Sequence, residues 1–138
     1  MTSEVQRTPN MLAKPAVLLR VEGAAMFACS VFLFHFLGAN WIVFVALLLW
    51  PDLFMLGYVA NARLGARLYN LVHTDVLPLA LVIASLSLRQ SGLTAFALIW
   101  LAHIGLDRML GYGLKYASAF SDTHLGRIGR IPQTRVAT

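Results

Sequence analysis

Two histidines and two aspartates sit inside otherwise apolar stretches of this chain: Asp52 follows Pro51, His73 follows Asn70 by three, and His103 and Asp107 are four residues apart. A spacing of four puts His103 and Asp107 on one helix face a turn from each other, and Asn70 and His73 share a face in the same way. Such pairs can chelate a metal or relay a proton. Neutral imidazole nitrogen combined with hard carboxylate oxygen suits zinc, iron or manganese. Three protein ligands and one open position would turn a bound water into a nucleophile at neutral pH. We therefore expect Asp52, His73 and His103 to hold one divalent transition metal, with Asp107 as base or fourth ligand and Arg108 as a cation for an anionic headgroup. Glu22, Asn70 and Asp75 are expected to orient or compensate these groups, Asp75 as a carboxylate partner for the His73 ring. No His-Glu-x-x-His, Cys-x-x-Cys or paired Glu-x-x-His motif accompanies them. A plainer reading stays beside this one: Arg108 paired with Asp52 or Asp75, and Arg20 close to Glu22, would only compensate charge and set helix register.

The elements that must position these groups follow from composition. Of 138 residues, 59% are hydrophobic and 12% charged, and the mean hydropathy is +0.71, which leaves too little polar surface for a soluble domain. About 20 apolar residues cross a bilayer as a helix, and the chain holds four such stretches: 16–37, 40–60, 64–88 and 93–116. No segment alternates with period two as a membrane barrel would. The expected fold is an all-α polytopic membrane protein, a four-helix transmembrane bundle over residues 15–116. Residues 1–14 are read as a disordered cytoplasmic tail and 117–138 as a basic cytoplasmic one. Pro51 should kink the second span. The first span, with Arg20 and Glu22 in its early turns and no small-x-small site after it, reads as a retained helix rather than a cleaved leader. The lone Cys29 excludes an intrachain disulfide.

Charge sets the orientation. The net charge is +5, but the basic residues adjoin apolar segments and form no aromatic-rich basic domain, so the expected partner is the lipid bilayer and not nucleic acid. Arg7, Lys14 and Arg20, then Arg63 and Arg67, then Lys115, Arg127 and Arg130 flank one side, and only Arg89 the other. By the positive-inside rule both termini are cytoplasmic. Counting 1.5 Å per residue from that side gives depths of about 15, 17, 18 and 12 Å for Asp52, His73, His103 and Asp107, one layer near the midplane, with Glu22 at about 9 Å. His35 has no acid at its depth and reads as a packing residue. His124 beside Asp122 reads as part of a turn.

The elements Arg20-Val-Glu22-Gly23, Pro51-Asp52, Tyr69-Asn70-Leu-Val-His73-Thr74 and Ala102-His103 through Asp107-Arg108 to Lys115-Tyr116 resemble a bacterial family of small four-helix inner-membrane proteins catalogued as a domain of unknown function. The resemblance covers roughly residues 16 to 126. It implies a multi-pass protein of the bacterial inner membrane and supplies no activity. Pro51-Asp52, His73, His103 and Asp107 are also similar in type to membrane-bound metal-dependent hydrolases, although Phe54 stands where that group has a second acid. A third similarity, in size and in the placement of Glu22, runs to small multidrug transporters.

Three functional classes follow. The first is a metal-dependent hydrolase of a membrane-embedded or lipid-linked substrate. The second is a small proton-coupled transporter using Glu22 or Asp52 as a homo-oligomer. The third is a non-enzymatic scaffold whose small residues, Ala62, Gly65 and Ala66 or Gly105 and Gly111 to Gly113, offer close helix contacts.

Overall fold

The computed structural model describes residues 15–115, together with two short strands at 122–123 and 126–127. The expected tails at 1–14 and, apart from those strands, 117–138 lie outside the described residues, as does His124.

Helix α1, Pro15–Phe36, starts on a proline whose missing N–H costs nothing in a first turn. It stops where Gly38 takes φ +66. Asn40 then caps α2, Trp41–Leu47, its side chain accepting the Ile42 N–H at 2.8 Å. Pro51 cannot donate to the helical ladder, and its ring crowds the preceding turn. The chain answers by tightening into a 3-10 helix, Trp50–Leu56, and then resumes as α3, Gly57–Ala60. The kink expected at Pro51 is thus a seven-residue tight segment, and it carries Asp52.

Asn61 caps α4, Ala62–Val72, by accepting the Leu64 N–H at 2.8 Å. Its buried face, Gly65, Ala66, Tyr69 and Val72, has helical spacing. Gly65 lets the chain double back closely, because a Cβ there would lie 2.3 Å from the Tyr58 ring. The third span is not one helix. It bends at residues 73–75, and α5, Val76–Ser87, begins with Pro78 in its first turn. Helix α6, Ser91–Leu110, also departs from expectation, since it ends six residues before Tyr116. Gly111 adopts φ +94, its N–H donates to the Arg108 carbonyl, and the Tyr112 N–H reaches back to the Asp107 carbonyl at 2.8 Å. That is a Schellman closure, which satisfies the carbonyls a helix end leaves open.

Four segments, Pro15–Phe36, Trp41–Ala60, Ala62–Ser87 and Ser91–Leu110, are long and apolar enough to cross a membrane. Phe32, Phe36, Ile42, Val45, Val59 and Ile83 face outward, as a bilayer environment permits and water does not. Helix α6 is the central post, more than half buried while the other spans bury less than a quarter. It meets α1 where Gly23 faces Gly105, and a Cβ on Gly105 would sit 2.6 Å from the Phe27 backbone nitrogen. Phe34, Phe44, Leu98, Ile99 and Ala102 form the core toward one end. Val72, Trp100 and Ile104 form it beside the polar site. Beyond α6, Asp122–Thr123 pairs antiparallel with Gly126–Arg127.

The earlier end of α6 moves the site's depth. About 18 Å of helix separates His103 from Ser91, and only about 10 Å separates it from Leu110. On α6 His103 and Asp107 therefore lie nearer the C-terminal end of the helix, while Asp52 and His73 stay near the middle of their own spans.

Candidate metal centre

Each part of the local structure aims one side chain inward. The 3-10 segment presents Asp52, the end of α4 presents His73, and consecutive turns of α6 present His103 and Asp107. One ligand atom from each falls within 4.8 Å of all the others. The two Nε2 atoms are 3.1 Å apart. His73 Nε2 lies 3.5 Å from Asp52 Oδ1 and 3.5 Å from Asp107 Oδ2. His103 Nε2 lies 3.5 Å from Asp52 Oδ1 and 3.6 Å from Asp107 Oδ2. An ion bonded at about 2.0–2.1 Å to four tetrahedral ligands holds them about 3.3–3.4 Å apart, and five of the six edges lie within about 0.3 Å of that length.

The surroundings fix the ligands. His73 Nδ1 donates to the Tyr69 carbonyl at 2.9 Å, which leaves the Nε2 lone pair of the neutral ring toward the centre. The Tyr69 ring stacks on His73 at 3.7 Å, and its hydroxyl donates to Asp107 Oδ2 at 3.3 Å. His103 is fully buried, and among the described residues its Nδ1 has no hydrogen-bond partner. Packing and the Nε2 contacts with the cluster hold that ring. Trp100 Nε1 donates to the Val72 carbonyl at 2.6 Å and pins the end of α4 to α6. The histidine side chains are 4% and 1% exposed and the carboxylates 30% and 18%. The imidazoles form the floor of the centre, and access is across the carboxylates.

Asp75 does not orient His73, whose Nδ1 is taken by its own helix. The bend turns Asp75 toward Arg108 instead, and the guanidinium grips both its oxygens, Nη1 to Oδ2 at 2.8 Å and Nη2 to Oδ1. A planar fork matched to a carboxylate gives this pair its geometry. Arg108 lines a small cleft with Tyr69, His73, Asp107, Tyr112 and Gly113. Asn70 supports from further out. Its amide donates to the Lys115 carbonyl at 2.8 Å and accepts the Lys115 N–H at 2.7 Å, tying the chain after α6 back onto α4. Glu22 is exposed on α1 and is not among the four clustered residues.

Two residues of this neighbourhood escaped the sequence reading. Tyr69 had a signal, its position one turn before His73. Lys115 had none: its ammonium lies 4.7 Å over the Tyr69 ring, a contact made across 46 positions of sequence. Lys115 is 5% exposed. Burial pushes its pKa down to about 8, while the charges of Asp107 and Asp52 pull it the other way.

Residues 16–128 match the family described as Domain of unknown function (DUF4260). The chain belongs to that family. No curated protein and no solved structure matches it, so the comparisons attach neither a hydrolase nor a transporter to this member of the family. Of the small residues expected to offer helix contacts, Gly65 packs on Tyr58, Gly105 on Gly23 and Phe27, and Gly111 on Arg20, while Ala62 is exposed.

Proposed function

We propose that this membrane protein is a metal-dependent hydrolase acting on a membrane-embedded or lipid-linked substrate, placed in the bacterial inner membrane with both termini cytoplasmic. The observation that carries the reading is the convergence of His73 Nε2, His103 Nε2 and Asp52 Oδ1, 3.1–3.5 Å from one another, with Asp107 Oδ2 beside them at 3.5 and 3.6 Å from the two imidazoles. Two carboxylates gathered in a poorly polar interior ask for compensation, and a divalent cation neutralises both. Asp52, His73 and His103 would hold the ion, whose chemistry there would be to make water acidic enough to attack at neutral pH.

The chain's own residues do the rest. Asp107, positioned by Tyr69 and by the closure of α6, takes the proton that the attacking water loses and returns it to the leaving group as the substrate bond breaks. Arg108 exchanges its hold on Asp75 for an anionic group of the substrate. The histidine floor and the apolar walls from Trp100 and Ile104 keep bulk water out, and the carboxylate rim admits the substrate.

The test is elemental analysis of detergent-purified protein by plasma mass spectrometry, comparing wild type with a His73→Ala, His103→Ala double variant. Near-stoichiometric metal in wild type and its loss in a folded double variant is the expected result. A folded wild-type protein that takes up no zinc, iron or manganese when these are supplied sinks the reading. The 3.1 Å contact between the two imidazoles favours one second reading, a proton path through His73 and His103. That path needs a pH gradient rather than a metal.

A further inference from the structure

The cleft beside the metal centre is too small for the chemistry proposed there. Its walls come from α4 (Tyr69, His73), from α6 (Asp107, Arg108) and from the chain that follows α6, Tyr112 to Leu114. The space between them is about 10 Å³, about what a single water requires. A substrate that meets Asp107 and Arg108 must therefore displace a wall.

The three walls differ in how they are held. Helices α4 and α6 are fastened to each other by Trp100 Nε1 on the Val72 carbonyl at 2.6 Å, and the Arg108 guanidinium holds Asp75 just beyond α4. Both helices carry candidate ligands, so neither can move away without dispersing the centre. The third wall is a strap, residues 111–115, that leaves α6 and crosses to α4. Its near end is the closure of α6, where Gly111 takes φ +94 against the Arg20 guanidinium and the Tyr112 N–H donates to the Asp107 carbonyl. Its far end is clamped by Asn70, which donates to the Lys115 carbonyl at 2.8 Å and accepts the Lys115 N–H at 2.7 Å. The buried Lys115 side chain lies over Tyr69 at the same end. Between the two ends Tyr112 is 42% exposed, and a glycine on either side of it lets the backbone turn. A short exposed segment of this kind opens more readily than packed helix.

We infer that the strap is a gate and that Asn70 is its latch: release of the Lys115 backbone lets residues 112–114 swing away about Gly111 and opens the cleft onto Asp107 and Arg108. What passes through, a substrate group larger than water, rests on the hydrolase reading, whereas the gate belongs to the chain with or without a metal. Asn70 is a positioning residue, since it is neither one of the four clustered residues nor part of the cleft lining. Closed, the cleft has room for one water; open, it admits the substrate past the end of α6. Lids of this kind shut a reaction away from bulk water and often set the pace of turnover.

Ile104 lines the same cleft and is 1% exposed, so a thiol placed there reports the gate. Ile104→Cys is made in a Cys29→Ala background, reconstituted in nanodiscs, chelated so that the thiol is free, and labelled with a charged methanethiosulfonate reagent. Asn70→Ala removes two hydrogen bonds from the strap and should raise the labelling rate about tenfold. Hydrogen exchange on the otherwise native chain follows the same motion without the reporter. There Asn70→Ala should speed exchange at residues 112–115 and leave the α6 amides as protected as in wild type. Equal labelling rates with and without Asn70→Ala in folded protein overturn the gate. Exchange that rises through α6 as well does the same, because it marks general loosening rather than a latch. A parent protein labelled as fast as an exposed thiol also overturns it. Metal content is read on unchelated samples: wild type that takes up no metal sinks the hydrolase reading and leaves the gate to stand or fall on labelling and exchange.

Discussion

The crossing of α1 and α6 determines whether His103 and Asp107 can meet their partners, and Gly105, midway between them, is where it can be broken. A Cβ added there would lie 2.6 Å from Phe27 N, 2.8 Å from Gly23 O and 3.0 Å from Phe27 Cα, all backbone atoms with no rotamer to escape into. Carbon contacts settle near 3.5–4.0 Å, so the helices must part by roughly 1 Å at the crossing. Overpacking of this kind costs about 1–3 kcal/mol, against which alanine regains up to about 1 kcal/mol of helix propensity over glycine. Gly92, near the start of the same helix, has nothing among the described residues within 4 Å of its added Cβ. Gly92→Ala is therefore the matched control and should be neutral or slightly stabilising. Unfolding followed by circular dichroism in mixed micelles should show Gly105→Ala less stable than Gly92→Ala by about 1–3 kcal/mol. A shift of this size in two of four ligands should weaken metal binding by about 10–100-fold, read by competition with a metallochromic dye. If Gly105→Ala matched Gly92→Ala in both stability and metal affinity, the close crossing would not be what places the ligands.

Other outcomes follow from the same geometry. Chelation should lower the unfolding midpoint of metal-loaded protein, since an ion held at a thousand times its dissociation constant stabilises by about 4 kcal/mol; the double histidine variant should show no such difference. Tyr69→Phe keeps the stacking on His73 and removes the hydroxyl donated to Asp107, so metal affinity should fall about tenfold while the far-ultraviolet spectrum stays unchanged. Asp75→Ala leaves the Arg108 guanidinium without its carboxylate in a half-buried place, and should cost about 1–2 kcal/mol in micelle unfolding once solvent screening is allowed for. Gly111→Ala must adopt φ +94 with a side chain, and the strain of about 1–3 kcal/mol should appear as faster hydrogen exchange at Tyr112.

Local chemistry made much of this protein legible from its sequence. Apolar run lengths alone give four spans, because a bilayer demands about 20 residues of helix from any chain that crosses it. Ionisable residues stand out against such runs, which is why Asp52, His73, His103 and Asp107 could be singled out before any fold was known. Their common level followed from arithmetic along helices. The arithmetic overshot where α6 ended early, since several glycines near its end could have supplied the left-handed residue and only Gly111 does.

Tertiary structure decided what depends on residues far apart in the chain. The 3-10 segment after Pro51 aims Asp52, and the bend at 73–75 gives Asp75 to Arg108, although Asp52 was an equal candidate on sequence. The contact of Gly23 with Gly105 sets how closely α1 lies to α6, and Glu22, next to that contact in sequence, faces outward. Lys115 is brought over Tyr69 with its backbone gripped by Asn70 of α4, 45 positions earlier in the chain. Helical periodicity reports which residues share a face of one helix. Which faces meet is settled by packing between helices, where a difference of one methyl group at a glycine decides whether the ligands converge.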